Sequence, residues 1–251
     1  MPSDKQPRLL ISGHHVLTEA LNGTPEAVTR VFLDPTSPDR ELIKKLKQKN
    51  IKIDHLRTSG SREKSKTIKA ELDPTKLILS ESEFFSSLDP KPETGLLLLG
   101  EIQDPQNVGA VIRSAAAFGF SGILFPRHNQ APITDTVLKV SAGMAFRVPL
   151  VSIGNVNQTL RDLQNQGFWI YGLTPNGDRD LNKEDFDRPS VLVIGNEAYG
   201  IREKTLKHCD FQLTIPTHPR CQSLNAAASF AIVGYAWSRH HPEALRKPSQ
   251  N

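Results

Sequence analysis

Apolar positions divide the chain into two stretches of different character. From Leu96 onward, short apolar runs alternate with helical patterns. Leu96–Leu99 and Val191–Ile194 are uninterrupted apolar runs, the pattern of strands covered on both faces of a parallel sheet. Gly122–Phe125, Val148–Val151, Phe168–Leu173 and Phe211–Ile215 read as further strands. Between them, Val108–Phe118, Val137–Ala145, Val156–Asn165, Arg202–His208 and Asn225–Arg239 read as helices. Strand-then-helix repetition predicts a parallel α/β sheet with helices on both faces.

Upstream, the spacing is that of a small α/β unit over about Leu9–Leu56. Val16, Leu17, Ala20 and Leu21 mark one face of a short helix. Val28–Leu33 alternates like a strand. Asp39–Lys49 predicts a charged helix that buries Leu42, Ile43 and Leu46, and Ile51 and Ile53 begin another strand. Arg57–Lys76 has few apolar residues and many charges, so it is expected to be a mobile loop. The expected division is a small α/β domain over residues 1–76 that ends in this basic loop, a linker over 77–95, and a larger domain over 96–251.

Size and composition narrow the class. The chain has 251 residues, room for one or two domains, and 37% are apolar, enough to build a core. No strictly apolar run exceeds four residues, far short of the roughly 20 that a membrane-spanning helix needs. The first residues, MPSDKQPRLLISGHH, lack the apolar core of a secretion signal. Cys209 and Cys221 are too few for a disulfide scaffold, which fits a reducing compartment. A cytoplasmic location is expected.

Charge adds a second asymmetry. Eleven Lys and Arg against three acids lie between Arg40 and Ala70, a local +8 in a chain whose net charge is +4. A basic segment on a near-neutral body suits a partner rich in phosphate. It equally suits a solvated helix face followed by a loop.

Ligands of parallel sheets bind beyond the carboxyl ends of the strands. Three such ends carry unusual loops: Gly100–Gly109, leading into a helix with Arg113; Gly195–Gly200, after Val191–Ile194; and Ile215–Asn225, before the last helix. Taken singly, each has an ordinary structural explanation. Asn107, Ser223 and Asn225 read as helix caps, Gly109 as a packing glycine, and Gly195 and Gly200 as turn glycines. Their occurrence together and in order favours a site. The glycine fingerprint of dinucleotide folds, the P-loop and the nucleophile elbow are all absent from the sequence. His208, Cys209, His218 and Cys221 lack the spacing of a zinc site, and no metal is expected.

At these loops the chain resembles the SpoU (TrmH-like) family of RNA 2′-O-ribose methyltransferases, of the SPOUT superfamily. The resemblance rests on DPQNVGAVIRSAAAFG (Asp104–Gly119), VIGNEAYGIR (Val193–Arg202) and IPTHPRCQSLNAAASFAIVGYAW (Ile215–Trp237). LKVSAGMAFRVPL and WIYGLTP between them are similar too. Upstream, GHHVLTEAL resembles the small RNA-binding domain of the ribosomal-RNA branch. The HQG-type segment that often closes that domain is replaced by the basic loop. Within the third motif, Ala226–Ala228 stand where branched residues are usual, and Arg220-Cys221-Gln222 is bulkier and more basic than the common loop.

The resemblance implies an α/β sheet with a C-terminal trefoil knot, an exception to the rule against threaded chains. It implies S-adenosylmethionine as cofactor, a homodimer with the site near its interface, and ribosomal RNA as substrate. Gly195, Ile215 and Leu224 would contact the cofactor, largely through backbone groups. Glu197, Ser223 and Asn225 would order the site, and Asn107 and Arg113 would stand beside the methyl group and target ribose. Two other readings share these features: a transfer-RNA 2′-O-methyltransferase, and a non-catalytic RNA-binding or ribosome-assembly protein.

Overall fold

A computed structural model describes residues 8–34, 39–56, 68–221 and 223–246. They form a four-stranded sheet and an eight-stranded sheet.

The small sheet contains β1 (Leu9–Ser12), β2 (Val28–Leu33), β3 (Lys52–His55) and β4 (Lys69–Leu72), in the order β1-β4-β2-β3. β4 runs antiparallel to both its neighbours, and β2 and β3 are parallel. Helix α1 (His14–Gly23) buries Val16, Leu17, Ala20 and Leu21, the face its spacing predicts. Helix α2 (Arg40–Gln48) starts at Asp39, whose carboxylate accepts the Leu42 N–H at 3.0 Å. It buries Leu42 and Leu46 and leaves Ile43 half-buried.

The basic segment departs from expectation. Residues 57–67 of the expected loop lie outside the described residues. Residues 69–72 form β4, which sits between β1 and β2. Ala70 and Leu72 are fully buried while Lys69 and Glu71 face outward. This two-residue period is the strand signal, and the surrounding charge obscured it. A short helix, α3 (Pro74–Leu77), follows.

The large sheet begins earlier than Leu96. Residues 77–95, expected to be a linker, carry β5 (Ile78–Ser80) and α4 (Glu81–Ser87). β5 pairs in parallel with β8 (Leu150–Ile153) and forms one edge of the sheet. Helix α4 has a capping box, in which Ser80 and Glu83 satisfy each other's backbone N–H groups, and it buries Phe84 in the core. Only three residues long, β5 gave little pattern to read.

The other strands are β6 (Gly95–Leu99), β7 (Gly122–Pro126), β9 (Trp169–Leu173), β10 (Arg179–Asp180), β11 (Ser190–Ile194) and β12 (Phe211–Thr214). The order is β10-β12-β9-β11-β6-β7-β8-β5, and every pairing is parallel. All residues of β6, β7 and β11 are buried. Leu97 and Leu99 join one core cluster, with Val108, Ile112, Phe230 and Trp237; Leu96 and Leu98 join the other, with Phe84, Leu160 and Leu163. Helices therefore cover both faces, as the unbroken apolar runs require.

Those helices are α5 (Pro105–Ala117), α6 (Asp135–Val140), α7 (Val156–Asn165), α8 (Glu203–Leu206) and α9 (Ala226–His240). The helix predicted over Val137–Ala145 is shorter: α6 ends at Val140, a turn follows, and Gly143 at φ 76° leads into a 3-10 turn at Met144–Phe146. Gly109 lets α5 approach α6, since a Cβ there would lie 2.6 Å from Val140 Cβ.

The small sheet docks on this region. Asp135 accepts the Ser12 N–H and hydroxyl, each at 3.0 Å, and Arg147 pairs with Glu19 at 2.8 Å. Among the described residues no helix is long and apolar enough to cross a membrane.

Candidate active site

Strands β6, β9, β11 and β12 lie side by side, and the loops leaving their carboxyl ends converge. They enclose a cavity of about 420 Å³, within the size range of small-molecule sites. Its apolar lining includes Leu173, Ile194, Leu213, Ile215 and Leu224, and its polar lining includes Thr174, Asn176 and Ser223.

Glycine makes one wall possible. Gly195 follows β11 and faces the turn at Gly200. A Cβ on Gly195 would lie 2.1 Å from the Gly200 carbonyl carbon, so no other residue fits without moving the loop. Asn196 and Gly200 exchange backbone hydrogen bonds at 3.0 and 2.9 Å, closing residues 196–200 into a tight turn. Ile215 and Leu224 make no backbone hydrogen bonds among the described residues, so their N–H and C=O groups are open to a ligand.

A hydrogen-bond chain links all three loops. Asp104 caps α5, accepting the Gln106 N–H at 2.8 Å, with Pro105 at the first helical position. This start places Asn107 in the first turn, 8% exposed. The Asn107 amide donates to Glu197 at 2.9 Å, and its carbonyl accepts from the Asn225 amide at 2.8 Å. Asn225 in turn caps α9, accepting the N–H groups of Ala227 and Ala228 at 2.8 and 3.2 Å.

Glu197 also accepts the backbone N–H groups of Gln103 and Asp104, at 3.2 and 3.3 Å. Partial desolvation works to raise its pKa, but the donors from Asn107, Gln103 and Asp104 outweigh it and hold the carboxyl below its ordinary range. Glu197 is thus a fixed, ionised acceptor.

The expected site residues fall into three groups. Gly195, Ile215 and Leu224 line the cavity together with Glu197 and Ser223. Asn107 and Asn225 stand behind it, in the chain that ends on Glu197. Ser223 lies on the wall but outside that chain, its carbonyl accepting the Cys221 thiol. Arg113 projects from α5 into solvent outside the cavity lining, and among the described residues its side chain has no hydrogen-bond or ion-pair partner.

Thr174, within the similar segment WIYGLTP, and Asn176 just after it line the cavity from the loop after β9, although neither was expected as a site residue. Another missed residue is Glu101, whose backbone adopts φ 66°. Its carboxylate accepts from Arg202 at 2.7–2.9 Å and from the Tyr199 hydroxyl. Cys209 packs beside Gly172 on β9, and burial pushes its thiol up to about 12, so it serves as an inert core residue. Among the described residues no group of three or more His, Cys, Asp or Glu side chains is placed to hold a metal ion.

Comparison with known proteins gives consistent likenesses. Residues 95–235 match the family model described as the SpoU rRNA Methylase family. An uncharacterized tRNA/rRNA methyltransferase of Mycoplasma pneumoniae is 34% identical over 66% of this chain and 69% of that protein. A 23S rRNA (guanosine-2′-O-)-methyltransferase of Neisseria meningitidis is 29% identical over 89% of this chain and 92% of its own length. Two further relatives are matched over 36% and 55% of their lengths. Among solved structures, the SpoU methyltransferase AviRb from Streptomyces viridochromogenes superposes with a TM-score of 0.80, at 21% identity, over 94% of this chain and 90% of that one.

Proposed function

The chain belongs to the SpoU rRNA methylase family, and on that footing we propose that it transfers a methyl group from S-adenosylmethionine to a ribose 2′-hydroxyl of ribosomal RNA. The observation that carries this reading is the hydrogen-bond chain from Glu197 through Asn107 to Asn225, set against a glycine-walled cavity.

The cavity suits the cofactor. Gly195 admits close backbone approach, while Ile215 and Leu224 offer apolar cover and unpartnered backbone groups for an adenine edge. Bound S-adenosylmethionine supplies a methyl on a cationic sulfur that is already a good leaving group. What the protein adds is alignment of the hydroxyl and a path for its proton. Ionised Glu197 fixes Asn107, and Asn107 with Asn225 fixes the relative positions of α5 and α9. Ser223 orders the wall.

A guanidinium is a poor base. The exposed, unpartnered guanidinium of Arg113 instead grips the phosphate beside the target ribose through two parallel hydrogen bonds and so orients the hydroxyl. That phosphate or a water takes the proton.

The small sheet is assigned to RNA binding. Exposed Lys44, Lys45 and Lys47 on α2, Lys49 at its end and Lys52 on β3 support this role. A homodimer belongs to the same reading. Ala228, Ile232 and Tyr235 form an exposed stripe on α9, the helix that packs along α5, with Ile232 40% and Tyr235 56% exposed. The trefoil threading of the C-terminal segment and a cytoplasmic location complete the proposal.

The test is methyl transfer from labelled S-adenosylmethionine to unmodified ribosomal-RNA and transfer-RNA transcripts, with Arg113→Ala as control. Alkali-resistant label at one ribosomal-RNA dinucleotide, lost in the variant, is expected. Label in transfer RNA alone would replace the substrate. Absence of both label and cofactor binding would favour a non-catalytic RNA-binding protein.

A further inference from the structure

The hydrogen-bond chain through Glu197 braces the wall turn at residues 196–200 from one side. A second brace holds this turn and the residues after it from another side, and it centres on Glu101. We propose that Glu101 is a positioning residue for the cofactor site, clamping the 196–202 segment shut against the cavity. This inference rests on the reading of that cavity as the S-adenosylmethionine site.

Three residues of the segment converge on Glu101. Its carboxylate accepts from Arg202 Nε and Nη2 and from the Tyr199 hydroxyl. Its carbonyl accepts from the Asn196 amide at 2.8 Å. Asn196, Tyr199 and Arg202 span the whole segment, and Asn196, Tyr199, Gly200 and Ile201 line the cavity. Arg202 also stacks over the Tyr199 ring, 5.5 Å from its centroid.

The backbone gives an independent sign. Glu101 sits at φ 66°, in the left-handed region that favours glycine. A glutamate persists there only when its surroundings over-determine it, and such strain gathers at functional sites. The immediately preceding Gly100 is tied to β11, its N–H donating to Ile194 O at 2.6 Å. The chain thus leaves β6 bound to β11 and turns at once to place the Glu101 side chain under the wall. That side chain is 16% exposed against 57% for Arg202, so the shared hydrogen bonds are shielded from water on the carboxylate side. The Arg202 guanidinium, opposed by burial and helped by Tyr199, holds the Glu101 carboxyl below its ordinary range, so the clamp stays charged near neutrality.

Glutamate could sit at this position for folding alone. Glu101→Gly separates the two roles, because glycine adopts φ 66° freely while removing the carboxylate. Three readouts apply to purified full-length protein: S-adenosylmethionine affinity by calorimetry, amide exchange of residues 196–202, and thermal unfolding. For Glu101→Gly we expect about tenfold weaker cofactor binding, at least tenfold faster exchange in that segment, and a melting temperature within a few degrees of wild type. In turnover, KM for the cofactor should rise about tenfold while kcat falls less than threefold. Glu101→Gln keeps an acceptor for Tyr199 and Arg202 and should recover about half of the loss on a logarithmic scale. Affinity and exchange within twofold of wild type in Glu101→Gly would overturn the clamp. Failure of wild-type protein to bind S-adenosylmethionine would instead overturn the assignment of the cavity. The exchange measurement would then still decide whether Glu101 braces the segment.

Discussion

The Nδ2 atom of Asn107 lies 2.9 Å from Oε1 of Glu197, although the two residues are 90 positions apart. One belongs to the first turn of α5 and the other to the loop after β11. The Asn225 amide on the far side of Asn107 makes this contact the midpoint of a link between three separate segments.

Asn107→Ala should therefore leave Glu197 short of a donor and Asn225 short of an acceptor. We expect a stability loss of about 1–3 kcal/mol and methyl transfer reduced about 100-fold. Asn107→Asp sets a second carboxylate against Glu197 and should be worse than alanine at neutral pH. Its deficit should narrow toward about pH 4, as one of the pair takes up a proton. Denaturant unfolding of both variants across pH checks the order and its change.

Arg113 predicts the opposite balance between stability and activity. Its side chain has no partner among the described residues, so Arg113→Ala should change stability by less than about 0.5 kcal/mol. Methyl transfer should nevertheless fall at least about 100-fold if the guanidinium aligns the ribose. Arg113→Lys should recover little, because a point charge cannot replace a planar fork. Near-wild-type turnover in the lysine variant would rule out a two-pronged grip on phosphate.

Gly195→Ala tests the cavity wall. The new methyl group meets backbone at 2.1 Å, and backbone cannot swing aside as a side-chain tip can. A loss of about 1–3 kcal/mol is expected, with S-adenosylmethionine affinity falling further than stability does. Calorimetric titration at a temperature where the variant is fully folded distinguishes the two effects.

The depressed pKa of Glu197 fixes the sign of a pH effect. Its folded-state pKa lies below the unfolded value of about 4.3. Its stabilising contribution is then fully present above that value and is lost as pH falls through the folded pKa. The stability gap between wild type and Glu197→Gln should be flat near neutrality and shrink below about pH 4.3. Parallel profiles down to about pH 3 would show that the carboxylate is not held this way.

The exposed stripe on α9 yields a prediction about assembly. Tyr235→Glu places a charge where an apolar contact is expected, at a residue 56% exposed in the single chain. Sedimentation should show the wild type as a dimer and the variant shifted to monomer. A wild type that sediments as a monomer would remove the dimer from the proposal.

Much of this was legible because strong local patterns survive in sequence. Apolar runs such as Leu96–Leu99 required a sheet covered on both faces, whereas the helix expected from Val108, with Asn107 as its cap, starts three residues earlier, at Pro105, with Asp104 as the cap. The four-residue strand at Lys69–Leu72 was hidden because charge dominates its neighbourhood, although Ala70 and Leu72 keep the strand period. Ile78–Ser80 is too short to carry a period and is defined by its pairing with Leu150–Ser152. Glu101 was invisible for another reason. Its role depends on a backbone angle and on Arg202, 101 residues away, neither of which a linear pattern records. The loops around Asn107, Glu197 and Asn225 stood out as unusual, but only the fold brings them into hydrogen-bond contact.

The placement of Ile78–Ser80 at the edge of the large sheet has a consequence for how the molecule can be taken apart. A fragment starting at Leu96 would strip the outer edge from Leu150–Ile153 and remove Phe84 from its core cluster. The fragment would present unpaired N–H and C=O groups, a template for aggregation. The natural cut falls instead between Leu72 and Ile78, where only the short helix Pro74–Leu77 bridges the two sheets. Asp135 also grips Ser12 across the same joint, so side-chain contacts tie the small sheet to the large one alongside the chain itself. An RNA held by the small sheet, as proposed, would reach the cavity along a line set by that joint, and the joint would act as a ruler on the choice of nucleotide.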